Sequence, residues 1–272
     1  MNATSNEQWM GDPALEGVLH YAKVVADAGR PQDAVTLLEQ RYATFTKDPA
    51  QAASRIFLLA REAIIRFDAG EREAAIDLLE RAAQDASLEG EYKLNIDVNQ
   101  AMLQARAGQY QAAFVVINDA WRRFDAQNAD AEESFKVPSS EANFAWIKAC
   151  ALDGLGQHEK ARSLMAQIDA GTPRSPDRAV EAQARINGFV CMHDDASLAD
   201  EFVAQLATAI PLSDVFVLMQ PESHFDARER ATVAAALRRP VVAESLAVRA
   251  RLLAPAFQPA LENWASTAPR PH

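Results

Sequence analysis

What most limits how this 272-residue chain can fold is a short phrase that keeps returning. "AGRPQDAVTLL" from Ala28 comes back as "AGEREAAIDLL" from Ala69, as "AGQYQAAFVVI" from Ala107 and, with Leu155 leading, as "LGQHEKARSLM". Each copy carries a glycine (Gly29, Gly70, Gly108, Gly156) and, five residues on, an alanine (Ala34, Ala75, Ala113, Ala161). A large apolar residue follows four positions later: Leu38, Leu79, Ile117 and Met165. Seven residues before each glycine stands another alanine: Ala22, Ala63, Ala101 and Ala149. Glycine ends a helix by taking a left-handed or tightly packed conformation. A small residue on each of two helices lets their backbones approach closely. Each copy therefore predicts a helical hairpin whose two apolar faces need neighbours to cover them.

Composition agrees with a helical chain. Half of it is hydrophobic (49%), glycine (10) and proline (13) are sparse, and "VFVLM", Val215 to Met219, is the one strong strand candidate. Helix-start signals fall in phase: Asp12-Pro13 before the first hairpin, Ser139 or Ser140 before the fourth and Ser175-Pro176 before the next element.

The pattern resembles the tetratricopeptide repeat, in which a small residue sits mid-way along the first helix and a small then a large residue follow the glycine. The resemblance covers about Pro13 to Asp169. Intervals between glycines are 41, 38 and 48 residues, against a family period of about 34. Longer helices and loops absorb the excess, and the widest interval holds the loop-like "DAQNADAEESFKVPSS". The family's aromatic near the start of the first helix is mostly missing, with Trp146 its nearest equivalent.

The resemblance implies an all-α fold, a right-handed α-solenoid of antiparallel hairpins with roughly 12–13 helices. Four hairpins are expected over residues 13–170 and a C-terminal helical region of degenerate hairpins and a capping helix over 171–272, divided at "DAGTPRSPD". In that region, "RRPVVAESLAVRARLLAP" echoes the phrase with Arg238 in the glycine slot and Ala243 and Ala231 in phase. A further pair is expected near Ala182–His193 and Ser197–Ile210, with Ala199 in the small slot and no glycine.

Net charge is −11, and residues 1–170 hold most of it, with 26 acidic against 17 basic side chains. That field argues against nucleic acid or an anionic membrane as the main partner. Arg228, Arg230, Arg238, Arg239, Arg249 and Arg251 make a locally basic segment, expected to face protein or to pair within the chain. No basic n-region precedes an apolar run, and no stretch approaches about 18 apolar residues. The two cysteines, Cys150 and Cys191, do not make a disulfide framework and suit a reducing compartment. A cytoplasmic protein without membrane insertion is the expectation.

No hydrolase, phosphate-loop or dinucleotide motif is present, so neither catalytic residues nor a cofactor is expected. "CMHDD", Cys191 to Asp195, lacks a second ligand cluster at metal-site spacing; its residues read as a core cysteine and carboxylates capping the next helix. His158 reads as turn packing, and the acidic run Asp130 to Glu133 lacks the alternating oxygens of a calcium loop.

In the resembled family the first helices line a concave face that takes peptides. Carried over, that face comprises Leu19, Lys23, Phe57, Ile64, Phe67, Met102, Arg106 and Trp146. The expected function is a non-enzymatic adaptor or chaperone-like module that binds a basic or amphipathic peptide or helix of another protein in an apolar groove. A peptide- or small-ligand-sensing regulatory protein, closed by the C-terminal hairpins, is the alternative; an enzyme on the same scaffold ranks third.

Overall fold

The structure, a computed structural model, describes residues 13–45, 51–85, 91–127, 138–168, 178–207, 219 and 227–250. Among these residues are twelve helices and no strand. They follow one another as α1 (Pro13–Asp27), α2 (Pro31–Tyr42), α3 (Ala52–Asp68), α4 (Arg72–Ala83), α5 (Glu91–Arg106) and α6 (Tyr110–Gln127), then α7 (Pro138–Gly154), α8 (His158–Ile168), α9 (Arg178–Cys191), α10 (Asp195–Ala207), α11 (Ala227–Leu237) and α12 (Pro240–Ala250). The chain divides into two compact units, residues 1–130 with α1–α6 and residues 131–272 with α7–α12. Each helix of odd number packs on the one that follows it.

The repeated glycines explain the turns. Gly29, Gly70, Gly108 and Gly156 have φ of 79°, 91°, 79° and 77°, the left-handed region in which a side chain costs about 1–2 kcal/mol. At the second turn the amide of Gly70 donates to the Phe67 carbonyl (3.0 Å) and that of Glu71 to the Arg66 carbonyl (2.9 Å). This pair of bonds satisfies carbonyls that the ended helix would otherwise leave open. The same two bonds recur at Gly29, Gly108 and Gly156. No atom lies within 4 Å of where a Cβ would stand at these four glycines, so backbone conformation, rather than space, demands glycine.

The alanines explain the packing. All eight, Ala22, Ala34, Ala63, Ala75, Ala101, Ala113, Ala149 and Ala161, are 0% exposed. Leu38, Leu79, Ile117 and Met165 are buried beside them. In the first unit α2 packs on α3 and α4 on α5, while α1, α3 and α5 touch along a second side. Ion pairs tie the same stack: Arg66 of α3 donates to Glu62 (2.8 Å), to Glu71 (3.0 Å) and, from Nη2, to Glu39 of α2 (2.8 Å).

In the second unit the stacking changes. α9 seats chiefly on α7 and only lightly on α8. Gly188 of α9 permits this approach, because a Cβ there would come within 2.6 Å of the Met165 sulfur and 3.3 Å of the Trp146 Cβ. α10 then packs against both α11 and α12 around Ile186, Leu198, Phe202, Val233 and Val242.

The pair α9–α10 keeps the repeated turn without its glycine. His193 has φ 56°, and the amides of His193 and Asp194 donate to the carbonyls of Val190 (3.1 Å) and Phe189 (2.9 Å), as in the other four turns. Counted from His193, the small slots hold Ile186 and Leu198 and the large slot Phe202, all fully buried. The small slot expected at Ala199 is thus held by Leu198, one residue earlier.

The register expected for α11–α12 is not the one found. Ala231 and Ala243 are exposed while Val233, Ala236 and Val242 are buried. The turn closes with the amides of Arg238 and Arg239 bonded to the carbonyls of Ala235 and Ala236 (3.2 and 3.1 Å), with no left-handed residue. Ser139 and Ser140 lie inside the first turn of α7 rather than ahead of it, since the helix starts at Pro138. Asp12, Ser175, Asp130–Glu133, the segment 169–177 and the C-terminal residues from 251 fall outside the described residues, as do residues 215–218 of the strand candidate; Met219 is described, and is buried.

Candidate functional site

Three first helices, α1, α3 and α5, meet side by side in the first unit, and equal distances from their glycines set side chains in rows. Six residues before the glycines stand Lys23, Ile64 and Met102; ten before stand Leu19, Ala60 and Val98; nine before stand His20, Arg61 and Asn99. Leu19, Ile64, Met102 and Val98 are half-buried, as is Phe57 one turn nearer the start of α3. Lys23 is exposed and paired to Asp27 at 2.6 Å. These side chains form a partly apolar, accessible face.

Three of the expected contact residues are not on that face. Phe67 and Arg106 are buried, and the Arg72 guanidinium lies 5.4 Å from the Phe67 ring centre. Trp146, in the second unit, is 2% exposed. Its indole N–H donates to Asn143 Oδ1 at 3.1 Å, and α9 comes against it at Gly188. The seat of α9 on α7 covers it. Leu19, Lys23, Phe57, Ile64 and Met102 remain from the expected set.

One residue of this face was not anticipated. Arg61 is half-buried and, among the described residues, makes no hydrogen bond or ion pair. Burial holds its guanidinium below its ordinary value, and the charges of Asp27 and Asp68 only partly offset that. A desolvated guanidinium has five donors in a fixed fork and accepts a carboxylate or carbonyl readily. Its distance of nine residues from Gly70 was the available signal, because it shares a row with His20 and Asn99.

Behind the face runs a polar layer. Glu62 is buried and burial pushes its carboxyl up, against the pull of the Arg66 hydrogen bond. Arg66 moves up in its turn, since its bonds to Glu62 and Glu71 outweigh its burial. Asp97 of α5 is buried against Arg123 of α6 and Lys93, and the Lys93 ammonium also donates to the Ala83 carbonyl at 3.0 Å.

Because the Glu62 carboxyl sits higher folded than unfolded, the folded state holds the proton more tightly. Its contribution is therefore favourable below the unfolded value, about 4.5, and is lost as pH rises through the folded one. Glu62→Gln removes this dependence. Urea midpoints measured from pH 4 to 7 are expected to show the wild type losing stability relative to the variant as pH rises; parallel curves would contradict the shift.

The other sequence candidates have structural uses. Cys191 is joined to Cys150 by a disulfide, which corrects the reading of both as unpaired thiols and removes the support they gave to a reducing compartment. Asp194 caps α10, accepting from the Ser197 amide (3.0 Å) and hydroxyl (2.8 Å). Asp195 pairs with Arg239 at 2.9 Å, and His193 Nδ1 lies 3.2 Å from the Thr232 hydroxyl. His158 spans its turn to Asp153, 2.6 Å away. Among the described residues no group of three or more His, Cys, Asp or Glu side chains could hold a metal, and no helix is long and apolar enough to cross a membrane.

The fold and face together define a helical-hairpin protein. No protein-family model matches the chain, and no curated protein is detectably similar to it.

Proposed function

We propose that the chain is a tetratricopeptide-like repeat protein, a right-handed α-solenoid that binds a segment of another protein and catalyses no reaction. The observation that carries this reading is the face of α1, α3 and α5, where half-buried Phe57, Ile64 and Met102 flank Arg61, a guanidinium without a partner among the described residues. Apolar side chains arranged in rows suit large apolar anchors of a peptide or an amphipathic helix. Arg61 would take a backbone carbonyl or a carboxylate of the same segment. The acidic surroundings favour a partner that is basic outside its anchors and speed its encounter.

The test is comparative. The tagged full chain, Ile64→Asp and Arg61→Met are used to capture proteins from the native cell extract, with quantification by mass spectrometry and circular dichroism to confirm folding. Loss of a central interface anchor costs about 2 kcal/mol or more, so proteins held through this face should fall about tenfold or more with either variant. Equal recovery by folded variants would remove the site.

A further inference from the structure

We propose that Cys150 and Cys191 form a reversible thiol–disulfide lock that sets how firmly α9 is held on α7. They are the only two cysteines of the chain, separated by 41 residues, and the fold brings their Cα atoms to 5.7 Å. That separation is within the range a disulfide spans. The bridge joins the first helices of two successive pairs, at the interface where Gly188 brings α9 onto Trp146 and Met165.

Two properties make the pair a lock rather than a permanent part of the fold. First, the interface is packed without it: the helices meet through Gly188, Trp146 and Met165, and a cysteine thiol is a small apolar group that fits a core. Both oxidation states are thus compatible with the same packing. Second, the two sulfurs differ in access. Cys150 is 1% exposed in the middle of α7, while Cys191 is 9% exposed at the last residue of α9, just before the left-handed turn at His193. Exchange therefore enters at Cys191 when the end of α9 opens.

The chemistry requires a low-molecular-weight disulfide as oxidant. The Cys191 thiolate attacks it and expels one small thiolate, leaving a mixed disulfide; the Cys150 thiolate then attacks the Cys191 sulfur and expels the second. Two protein thiols lose two protons and two electrons, and one small disulfide becomes two small thiols. Reduction by a dithiol runs the same steps backwards. Burial of both cysteines restricts access of a small thiol or disulfide and makes exchange slow in the folded chain.

The experiment uses the full chain. Protein is equilibrated with oxidised glutathione, denatured and alkylated with N-ethylmaleimide, and its intact mass read; a parallel sample is first reduced with dithiothreitol under native conditions. The expected result is no label on the oxidised protein and two on the reduced one, with the bridge re-forming when the dithiothreitol is removed and oxidised glutathione restored. Native reduction should be about 100-fold slower than reduction in guanidinium. The bridged second unit should melt about 5–15 °C above the dithiol form, given the loop it closes. The double variant Cys150→Ala/Cys191→Ala should melt with the dithiol form and ignore dithiothreitol. Two labels on the oxidised protein, failure of the bridge to re-form, equal rates with and without guanidinium, or equal melting of the two forms would each overturn the lock.

Discussion

Phe202→Ala is expected to destabilise the second unit by about 3–5 kcal/mol, the range for removing a fully buried aromatic ring. Phe202 is 0% exposed among Ile186, Val190, Leu198, Leu206, Met219, Val233 and Val242. It holds the large slot of the fifth turn, and helices α9 to α12 all contribute to the cluster around it. Once the ring is gone, α10 cannot close inward without breaking the turn at His193 and the Asp194 cap, so a cavity remains. Phe202→Leu, which keeps much of the volume, should cost less than about half as much. Hydrogen exchange read by mass spectrometry on peptides from α9–α12 separates this unit from the first. A loss below about 1 kcal/mol for Phe202→Ala would show that the cluster is not the unit's core.

Arg55→Ala is expected to cost about 2–4 kcal/mol in the first unit, and Arg55→Met about 1 kcal/mol or less. The Arg55 side chain is 2% exposed, with its guanidinium 3.5 Å from Asp85, which follows the end of α4. It stands in the first turn of α3 and so joins the open ends of the pair α3–α4. Truncation removes both the buried stem and the charge opposite Asp85. Methionine keeps the stem and removes the burden of burying the cation. Asp85 is itself 22% exposed, which lets water relieve it and keeps the penalty below that of a fully enclosed pair. Unfolding curves of both variants check the contrast; equal losses would mean that the charge, rather than the volume, carries the stability.

How far the chain could be read from its sequence depended on whether a residue type has one use or several. The glycine and alanine slots of the first four turns have one use, and all eight alanines are fully enclosed with all four glycines left-handed. The fifth pair was seen only dimly because volume was exchanged at each slot: Ile186 and Leu198 stand where alanines stood, and His193 where glycine stood. A search for small residues passes over it. Arg55 was invisible for another reason, since arginine is rarely buried and nothing local marks one that is. Of the residues carried over from the resemblance, Phe57, Ile64 and Met102 are half-buried, whereas Trp146 and Cys150 are covered by α9, and no pattern within α7 announces the close approach that Gly188 permits.

The His193 turn has one more consequence. A glycine at that position would give an easier backbone but would reach nothing, whereas the imidazole extends from the turn to Thr232 on α11. The side chain that blurs the repeat is thus also a hook, fastening the fifth turn to the first helix of the next pair. Erosion of a repeated signature and the gain of a tether between neighbouring hairpins are, at this one residue, the same substitution.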